Sequence, residues 1–401
     1  MIPKVAFRPM TLDENIDVID WAYFENNGSL DVHNYVLEYY PELSNLEGCD
    51  KDIILDRIRD VVSRDYYYYE QKIKDEVIRY QDIWDKYNDN YMLDVSKYLD
   101  CDWDDICSIS ASVGLIPVFP RYLDTHSFCL STNISEDKLI ETVCHESLHF
   151  LWFLKWKRLF PSTNRREFDS PFMPWVYSEM VVDPILNNIF NSGKSGISFR
   201  SYDSFYHYQY HGKNVMEALQ DIYRENTSIE EKIIHGYQYI SEAVSSIKIN
   251  NYLSQNVLHP DYLFHGSPSV LDTLTLHTSH DSNQSLDNVD TSIFLTSSLL
   301  IASCYAFKDK IKEESEKNNL DWDFQISSTE TVPIMTMENV VIPDDLSGYI
   351  YVFPYNDSFR NEPEDSLQYK SYKNLQPIAV VLIHYSDFKK YYVLNNKSKS
   401  L

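Results

Sequence analysis

The sequence predicts an α+β protein in two parts, a largely helical region over about residues 1–250 and a mixed α/β domain over 255–401. Apolar residues recur at helical spacing through much of the first part, with acidic and basic residues between them. Short apolar runs broken by proline replace this pattern between residues 104 and 132, and again beyond residue 260. The polar, turn-rich stretch 250–260 is where we expect the boundary.

Composition and charge exclude several classes of protein. The chain has 401 residues, of which 43% are hydrophobic, enough for two or three cores. It carries 35 basic and 61 acidic residues, and this excess argues against a nucleic acid or an anionic membrane as the main partner, because phosphate contacts need clustered Lys and Arg. No apolar run approaches the ~18 residues of a membrane span, and the first residues lack the apolar segment of a signal peptide. We therefore expect a cytoplasmic protein with no membrane partner.

The first hundred residues are expected to be mainly helical. Residues 14–24 form one candidate helix, and residues 50–98 carry a long apolar stripe flanked by charges. The run Tyr66–Tyr69 is typical of the amphipathic rim of a helical packing layer. From residue 104 the apolar runs instead predict short strands, which open the core of this region, residues 104–215.

This core contains the pattern His-Glu-x-x-His at His145, Glu146 and His149. Ser135 is a suitable N-cap for the helix that carries it, and no Gly or Pro follows until Pro161. Histidines four residues apart lie on one face of a helix, so both imidazoles can bind a single metal ion. The apolar surroundings predict a buried helix, in which a metal is the simplest shared partner for these polar groups.

We expect the metal to be zinc, which lowers the pKa of a bound water so that Glu146 can accept its proton as a general base. A third ligand must come from elsewhere, and residues 173–184 contain Glu179 and Asp183. Judged from the residues alone, Glu179 is either a ligand or an ordinary helix-surface acid. Asp183 directly precedes Pro184 and suits the N-cap of a new helix.

From about residue 108 to 215, the two motifs together resemble the gluzincin metallopeptidases, the thermolysin-like group. The resemblance implies that Glu179 is the third metal ligand. It also implies that Asp183 orients His145, which is the alternative to a capping role. A small sheet would lie over the site and bind extended peptide along its edge strand.

The same resemblance implies a tyrosine or histidine, downstream of the third ligand, that stabilises the oxyanion of the reaction intermediate. The segment 201–212 is rich in both residue types. We name Tyr210 and His211 as the candidates, although the segment offers several other donors.

Beyond the boundary, two short segments resemble the ADP-ribosyltransferase fold, with the likeness extending over residues 260–390. The first contains His265 followed by Gly266 and a serine, and the second is a strand and helix containing Tyr305 before a small residue. The resemblance implies that His265 holds a ribose of NAD and that Tyr305 stacks on the nicotinamide.

That fold also implies a catalytic glutamate from a later strand, and this chain departs from it there. Gln368 stands where the acid is expected, while Glu362 and Glu364 lie nearby in a predicted loop. An amide cannot stabilise the positive charge that develops on the ribose as well as a carboxylate does. A degenerate domain kept for nucleotide binding or for packing is therefore the alternative to an active transferase.

Zinc-dependent hydrolysis of a peptide bond in a peptide or protein substrate is the function that the sequence favours. An NAD-dependent ADP-ribosyltransferase, or a degenerate nucleotide-binding module, is an alternative from a different class. A second alternative is a non-catalytic interaction protein with a structural metal. Nothing in the sequence indicates which substrate sequence or length a peptidase would prefer.

Overall fold

The computed structural model of the chain describes residues 2–24, 32–46, 48–115, 118–191, 197–271, 274–278, 291–320, 322–327, 334–362 and 365–395. Helices and strands alternate irregularly within these ranges, which confirms the predicted α+β class. Among the described residues, no helix is both long and apolar enough to cross a membrane.

The helices of the described residues largely follow the predicted stripes. They are α1 (Leu12–Phe24), α2 (Val32–Tyr39), α3 (Lys51–Trp84), α4 (Asn88–Leu99), α5 (Glu136–Leu159), α6 (Met173–Met180), α7 (Val182–Asn191), α8 (Val215–Arg224), α9 (Ile229–Leu253), α10 (Leu299–Lys317) and α11 (Tyr385–Phe388). The stretch 50–98 holds two of them, because the chain turns at residues 85–87.

The strands form one small sheet before residue 132, a hairpin, and two sheets after residue 260. They are β1 (Lys4–Pro9), β2 (Ser108–Gly114), β3 (Arg121–Tyr122), β4 (Ser127–Ser131), β5 (Gln209–Tyr210), β6 (Lys213–Asn214), β7 (Tyr262–Ser267), β8 (His277–Thr278), β9 (Thr291–Thr296), β10 (Asp323–Ser327), β11 (Ile334–Glu338), β12 (Ser347–Pro354), β13 (Arg360–Glu362), β14 (Asp365–Ser371), β15 (Ala379–His384) and β16 (Tyr392–Asn395).

The first sheet has the order β1-β2-β4-β3, in which β1, β2 and β4 are parallel and the edge strand β3 is antiparallel to β4. The long helix α3 packs against this sheet, and the fully buried hydroxyl of Tyr80 donates a hydrogen bond to the carbonyl oxygen of Ser131 at 2.9 Å. This bond holds the end of β4, from which the chain leads directly into α5.

Helix α5 lies at the centre of the first part of the chain. Ser135 caps it as predicted, its hydroxyl oxygen accepting a hydrogen bond from the backbone N–H of Lys138 at 3.2 Å. Trp152 and Trp156 are almost fully buried on its C-terminal half, and apolar contacts surround most of the helix. The polar side chains of a helix enclosed in this way cannot reach water, so they need partners inside the protein.

The second part of the chain is built on a sheet with the order β13-β14-β9-β7-β12-β15. Helix α10 packs on one face, and Phe172 from the first part of the chain packs on the other face near Tyr351. The chain passes from α9 to this sheet through residues 254–261, which overlap the stretch 250–260 where we expected the boundary.

Close approach of α10 to β7 explains the glycine in the His-Gly-Ser segment. A Cβ atom added at Gly266 would overlap the backbone oxygen of Ala302, and the backbone nitrogen of Ala306 would lie 2.8 Å away. Because backbone atoms cannot move aside as a flexible side chain does, only glycine fits at this contact. Helix packing is therefore sufficient to account for this motif residue.

We expect Gly266→Ala to destabilise the protein by at least about 2–3 kcal/mol. The added methyl group would overlap backbone atoms of α10, so the helix would have to move away from the sheet. Chemical denaturation of the purified variant measures this loss. Ser292→Ala in β9 is the matched control, since that buried hydroxyl has no hydrogen-bond partner and its removal should be nearly neutral. Equal stability of the Gly266→Ala protein and the parent would contradict the packing explanation.

Candidate metal centre

Helix α5 brings His145, Glu146 and His149 into the interior as the spacing predicts. The His149 side chain is completely buried, that of Glu146 is almost so, and His145 keeps about a fifth of its side chain exposed (21%). The two imidazole rings lie 4.9 Å apart between centroids, on one face of the helix. Both histidines therefore present their rings to the same small volume.

Helix α6 supplies the third group of this cluster, Glu179. Every residue of α6 is buried, and the hydroxyl of Ser201 donates a hydrogen bond to the backbone oxygen of Glu179 at 2.7 Å. The carboxylate oxygens lie 3.1 Å from Nε2 of His145 and 3.4 Å from Nε2 of His149. A buried glutamate in this position is not a surface acid, so that alternative is wrong.

These separations fit a shared metal ion. One ligand atom from each of the three residues lies within 4.8 Å of the other two. Ligands about 2.1 Å from a tetrahedral zinc ion lie about 3.4 Å from one another. The two distances from Glu179 are close to that value, so its carboxylate is placed to share one ion with the two imidazoles.

His149 gives the strongest indication that this cluster could hold a metal ion. Neither of its ring nitrogens has a hydrogen-bond partner, although the side chain is completely buried. Burial and the nearby Arg121 charge lower its pKa to about 3. The ring is therefore neutral at pH 7, which is the form that binds metals, and a metal ion would supply the partner that it lacks.

A residue that the sequence did not indicate, Arg121, completes the cluster. It lies on the edge strand β3, and its guanidinium donates to Oε2 of Glu146 at 2.8 Å and to Oε1 of Glu179 at 3.0 Å. All three side chains are at most 10% exposed. The two carboxylates raise the pKa of Arg121 against the effect of burial, so the guanidinium is a permanent cation between them.

The charges explain how the two acids stay ionised in the interior. Burial raises the pKa of Glu179, but the interaction with His149, the charge of Arg121 and the hydrogen bond with His145 outweigh it, so the net pKa is well below the usual range. Burial lowers the pKa of His145, but the hydrogen bond with Glu179 and the charges of the two carboxylates raise it overall, so this ring must lose its proton to bind a metal. With both imidazoles in the neutral form, the cluster has two negative charges and one positive charge. A divalent cation would change its net charge from -1 to +1, so the cluster can accept such an ion without a large excess of either sign.

Tyr202 is the tyrosine that the fold places beside this cluster. Burial together with the charges of Glu179 and Glu146 raises the pKa of its hydroxyl well above the usual range, so the hydroxyl stays protonated. Its ring packs against Trp175 of α6, with centroids 6.3 Å apart. Within the described residues the hydroxyl has no hydrogen-bond partner, so it is a donor that a ligand can use.

Asp183 has neither of the two predicted roles. Its carboxylate accepts hydrogen bonds from Tyr206 at 2.6 Å, Gln220 at 3.1 Å and Asn187 at 2.8 Å. It is the second residue of α7 and not the residue before the helix. No contact with His145 occurs among the described residues, because these three neighbours occupy the carboxylate and hold the segment after α7 in place.

Tyr210 and His211 are not brought to the metal cluster. They lie at the turn of the β5–β6 hairpin, where the Tyr210 hydroxyl donates to Glu242 of α9 at 2.8 Å. His211 is exposed and has a left-handed backbone conformation, with φ of 49°. The hairpin therefore holds these two residues away from the cluster, whereas Tyr202, from the same segment 201–212, lies close enough for the charges of Glu179 and Glu146 to act on its hydroxyl.

In the second part of the chain, the residues expected to hold NAD do not share one face of the sheet. His265 pairs with Tyr351 across β7 and β12, and its Nδ1 lies 2.9 Å from the backbone oxygen of Phe294. Tyr305 lies half exposed on α10, the helix that packs on the opposite face. The structure thus places these two side chains on different elements, on opposite sides of the sheet.

The residue in the place of the catalytic acid also faces away from His265. Gln368 and Phe264 both pair with Thr296 of β9, and residues paired directly across antiparallel strands point to the same face. Since His265 is the next residue after Phe264, its side chain points to the other face. Glu362 ends the short strand β13 and is not in a loop, whereas Glu364 lies outside the described residues.

Comparison of the chain with family models, with curated proteins and with solved structures finds no match.

Arg121 provides a test of the charge arrangement in the metal-free protein. We expect Arg121→Met to destabilise it by about 3–5 kcal/mol, since two buried carboxylates lose their common cation. Denaturation in the presence of a chelator measures the loss, and a divalent metal should restore part of it. Arg8→Met is the control, because the pair with Glu14 is largely exposed and worth no more than about 1 kcal/mol. Equal effects of the two substitutions would show that Arg121 does not hold the cluster together.

Proposed function

We propose that this protein is a zinc-dependent hydrolase that cleaves a peptide bond. The observation that carries the proposal is the convergence of His145, His149 and Glu179 in the interior, with both nitrogens of the buried His149 lacking a partner. Such an arrangement is costly unless a metal binds. The proposal places the three residues as ligands and leaves a position open for water or substrate.

Zinc is the metal that this donor set favours. Two imidazoles and one carboxylate suit zinc, whereas calcium and magnesium prefer oxygen ligands alone. Closed structural sites use four protein ligands, and the described residues supply three. The donor set therefore supports a catalytic metal over a purely structural one.

Glu146 is positioned to act as the general base. Its Oε2 atom accepts the hydrogen bond from Arg121, while its Oε1 atom lies 4.0 Å from Nε2 of His145. One oxygen is therefore held by the cation, and the other faces the ligand cluster, where it can take a proton from water. When bound, zinc would polarise the substrate carbonyl and make a coordinated water more acidic.

Arg121 and Tyr202 would stabilise negative charge on the substrate. The Tyr202 hydroxyl is protonated, lies beside the cluster and has no other hydrogen-bond partner among the described residues. A donor of this kind acts on the oxyanion that forms when water adds to a carbonyl. Arg121 lies on the edge strand β3, so the same strand that could pair with an extended peptide also carries a charge into the site.

No reaction of NAD is included in this proposal. His265 and Gln368 face opposite sides of their sheet, and close helix packing already explains Gly266. The second part of the chain has specific contacts to the first, including that of Tyr351 with Phe172 just before α6. We therefore treat it as a domain that packs against the metal region.

Two glutamate variants test the metal and the base separately. Glu179→Ala should weaken zinc binding by more than about 100-fold, because a ligand is lost. Glu146→Gln should keep about one zinc per chain and lose hydrolysis, because the amide cannot accept the proton. Elemental analysis after zinc loading and chelator dialysis, and mass spectrometry of a peptide mixture, give the two readouts.

Glu141→Gln is the control for these variants, since Glu141 lies on the same helix but pairs with Lys138 at the surface. It should keep both zinc and activity. Absence of zinc from the parent protein after loading would refute the metal site. Full activity of Glu146→Gln would refute the mechanism while leaving the metal site intact.

The role of Tyr202 is tested by removing only its hydroxyl. We expect Tyr202→Phe to lower kcat by about 10²- to 10³-fold with little change in KM, because the donor acts on charge that forms during the reaction. Steady-state kinetics on a cleaved peptide measure both quantities. Tyr210→Phe serves as the control and should leave kcat unchanged. The reverse result would show that the hairpin, and not Tyr202, contributes to catalysis.

A further inference from the structure

A second site lies at the contact between the two parts of the chain, away from the metal cluster. It is a cavity of about 160 Å³ on the sheet face opposite α10. The side chains around it are Arg166, Phe172, Leu271, Leu274, Thr275, Tyr351, Asn374, Leu375, Gln376 and Pro377. The lining is thus mostly apolar, with a few polar groups and one cation.

Arg166 is the notable member of this lining. Its Nε atom is buried without a hydrogen-bond partner, and its guanidinium makes no ion pair among the described residues. Its neighbour Arg165 pairs with both Asp124 and Asp169, at 3.1 and 3.0 Å. An unpaired arginine is unexpected in a chain with 61 acidic and 35 basic residues, and a buried N–H without an acceptor costs free energy.

Two other lining groups, Tyr351 and Asn374, also offer hydrogen-bond donors. The Tyr351 hydroxyl oxygen already accepts a hydrogen bond from the backbone N–H of Leu271 at 2.7 Å, and its own hydrogen has no acceptor among the described residues. The side-chain oxygen of Asn374 accepts from the N–H of Leu276 at 3.2 Å, which leaves its NH₂ group as a donor. Among the described residues, no carboxylate lines the cavity, and the nearby Glu167 accepts from the backbone of Asn164.

From this combination we infer that the cavity binds a small carboxylic acid with an apolar body of about one aromatic ring. The guanidinium and the hydroxyl would donate to the carboxylate, which can accept several hydrogen bonds. The leucine side chains and Phe172 would enclose the body. The volume agrees with such a body, since an apolar cavity of about 150 Å³ holds benzene.

The inference does not depend on zinc or on hydrolysis. None of the residues that line the cavity belongs to the cluster of His145, His149 and Glu179. Binding can therefore be tested on the full chain in the presence of a chelator. A negative result in this test would not count against the proposed hydrolase. Failure of the hydrolase proposal would likewise not count against this inference.

Isothermal titration calorimetry with sodium benzoate is the direct experiment. Benzamide has nearly the same shape without the charge, and we expect it to bind at least tenfold more weakly, since hydrogen bonds to a charged group are the stronger ones. Acetate should also bind more weakly because it lacks the apolar body. Equal binding of benzoate and benzamide, or no heat from benzoate at millimolar concentration, would overturn the inference.

The source of the carboxylate is distinguished by a third ligand. N-acetylphenylalanine imitates the end of a peptide chain and has a body larger than the cavity. Binding of benzoate with exclusion of N-acetylphenylalanine supports a free small acid. Preference for N-acetylphenylalanine over benzoate would overturn the assignment to a free acid and indicate a chain terminus.

Substitutions of residues that line the cavity test whether benzoate binds there. Arg166→Met keeps the apolar stem and should weaken benzoate binding at least tenfold, while Arg165→Met, its neighbour in the sequence, should not. Tyr351→Phe should weaken binding by a smaller factor and provides a second test if the arginine variant folds poorly. Unchanged benzoate affinity in both Arg166→Met and Tyr351→Phe would refute the site.

Discussion

Positive charge between two buried carboxylates is the constraint on which the first half of this protein depends. Glu146 and Glu179 come from different helices and meet in an apolar core, where two unpaired anions would be very costly. Arg121, on the edge strand of the small sheet, offsets part of this cost by donating a hydrogen bond to each carboxylate. The ring nitrogens of His149 make no hydrogen bond, although Nε2 lies 3.4 Å from Glu179, so the guanidinium alone does not satisfy the cluster and a metal ion would complete it.

Several contacts in the surrounding structure hold the residues of this cluster in place. The sheet and α3 hold the end of β4, and the Ser135 cap starts α5 directly after it. Helix α6 is buried along its whole length, so Glu179 cannot turn to solvent. Asp183, with its three hydrogen bonds, fixes the segment that carries Tyr202. Each of these contacts positions a residue of the candidate metal cluster or a residue beside it.

In the second half of the chain, helix packing alone explains one residue of the His-Gly-Ser segment. Gly266 is required because α10 lies against β7, whatever the neighbouring histidine does. The same sheet also presents Tyr351 toward the first half, where Phe172 and Arg166 meet it around a cavity. The contact between the two parts of the chain therefore contains hydrogen-bond donors that have no acceptor among the described residues, in mostly apolar surroundings.

The sequence by itself determined the helix that carries the His-Glu-x-x-His pattern and its Ser135 cap, because these depend on residues a few positions apart. It also indicated Glu179 as a candidate ligand, and the structure places this residue beside both histidines. Only the tertiary structure decided that Arg121 enters the site, since this follows from the antiparallel pairing of β3 with β4. It likewise decided between Tyr202 and Tyr210, and set His265 and Gln368 on opposite faces, because strand register and hairpin direction arise from contacts between residues distant in the chain.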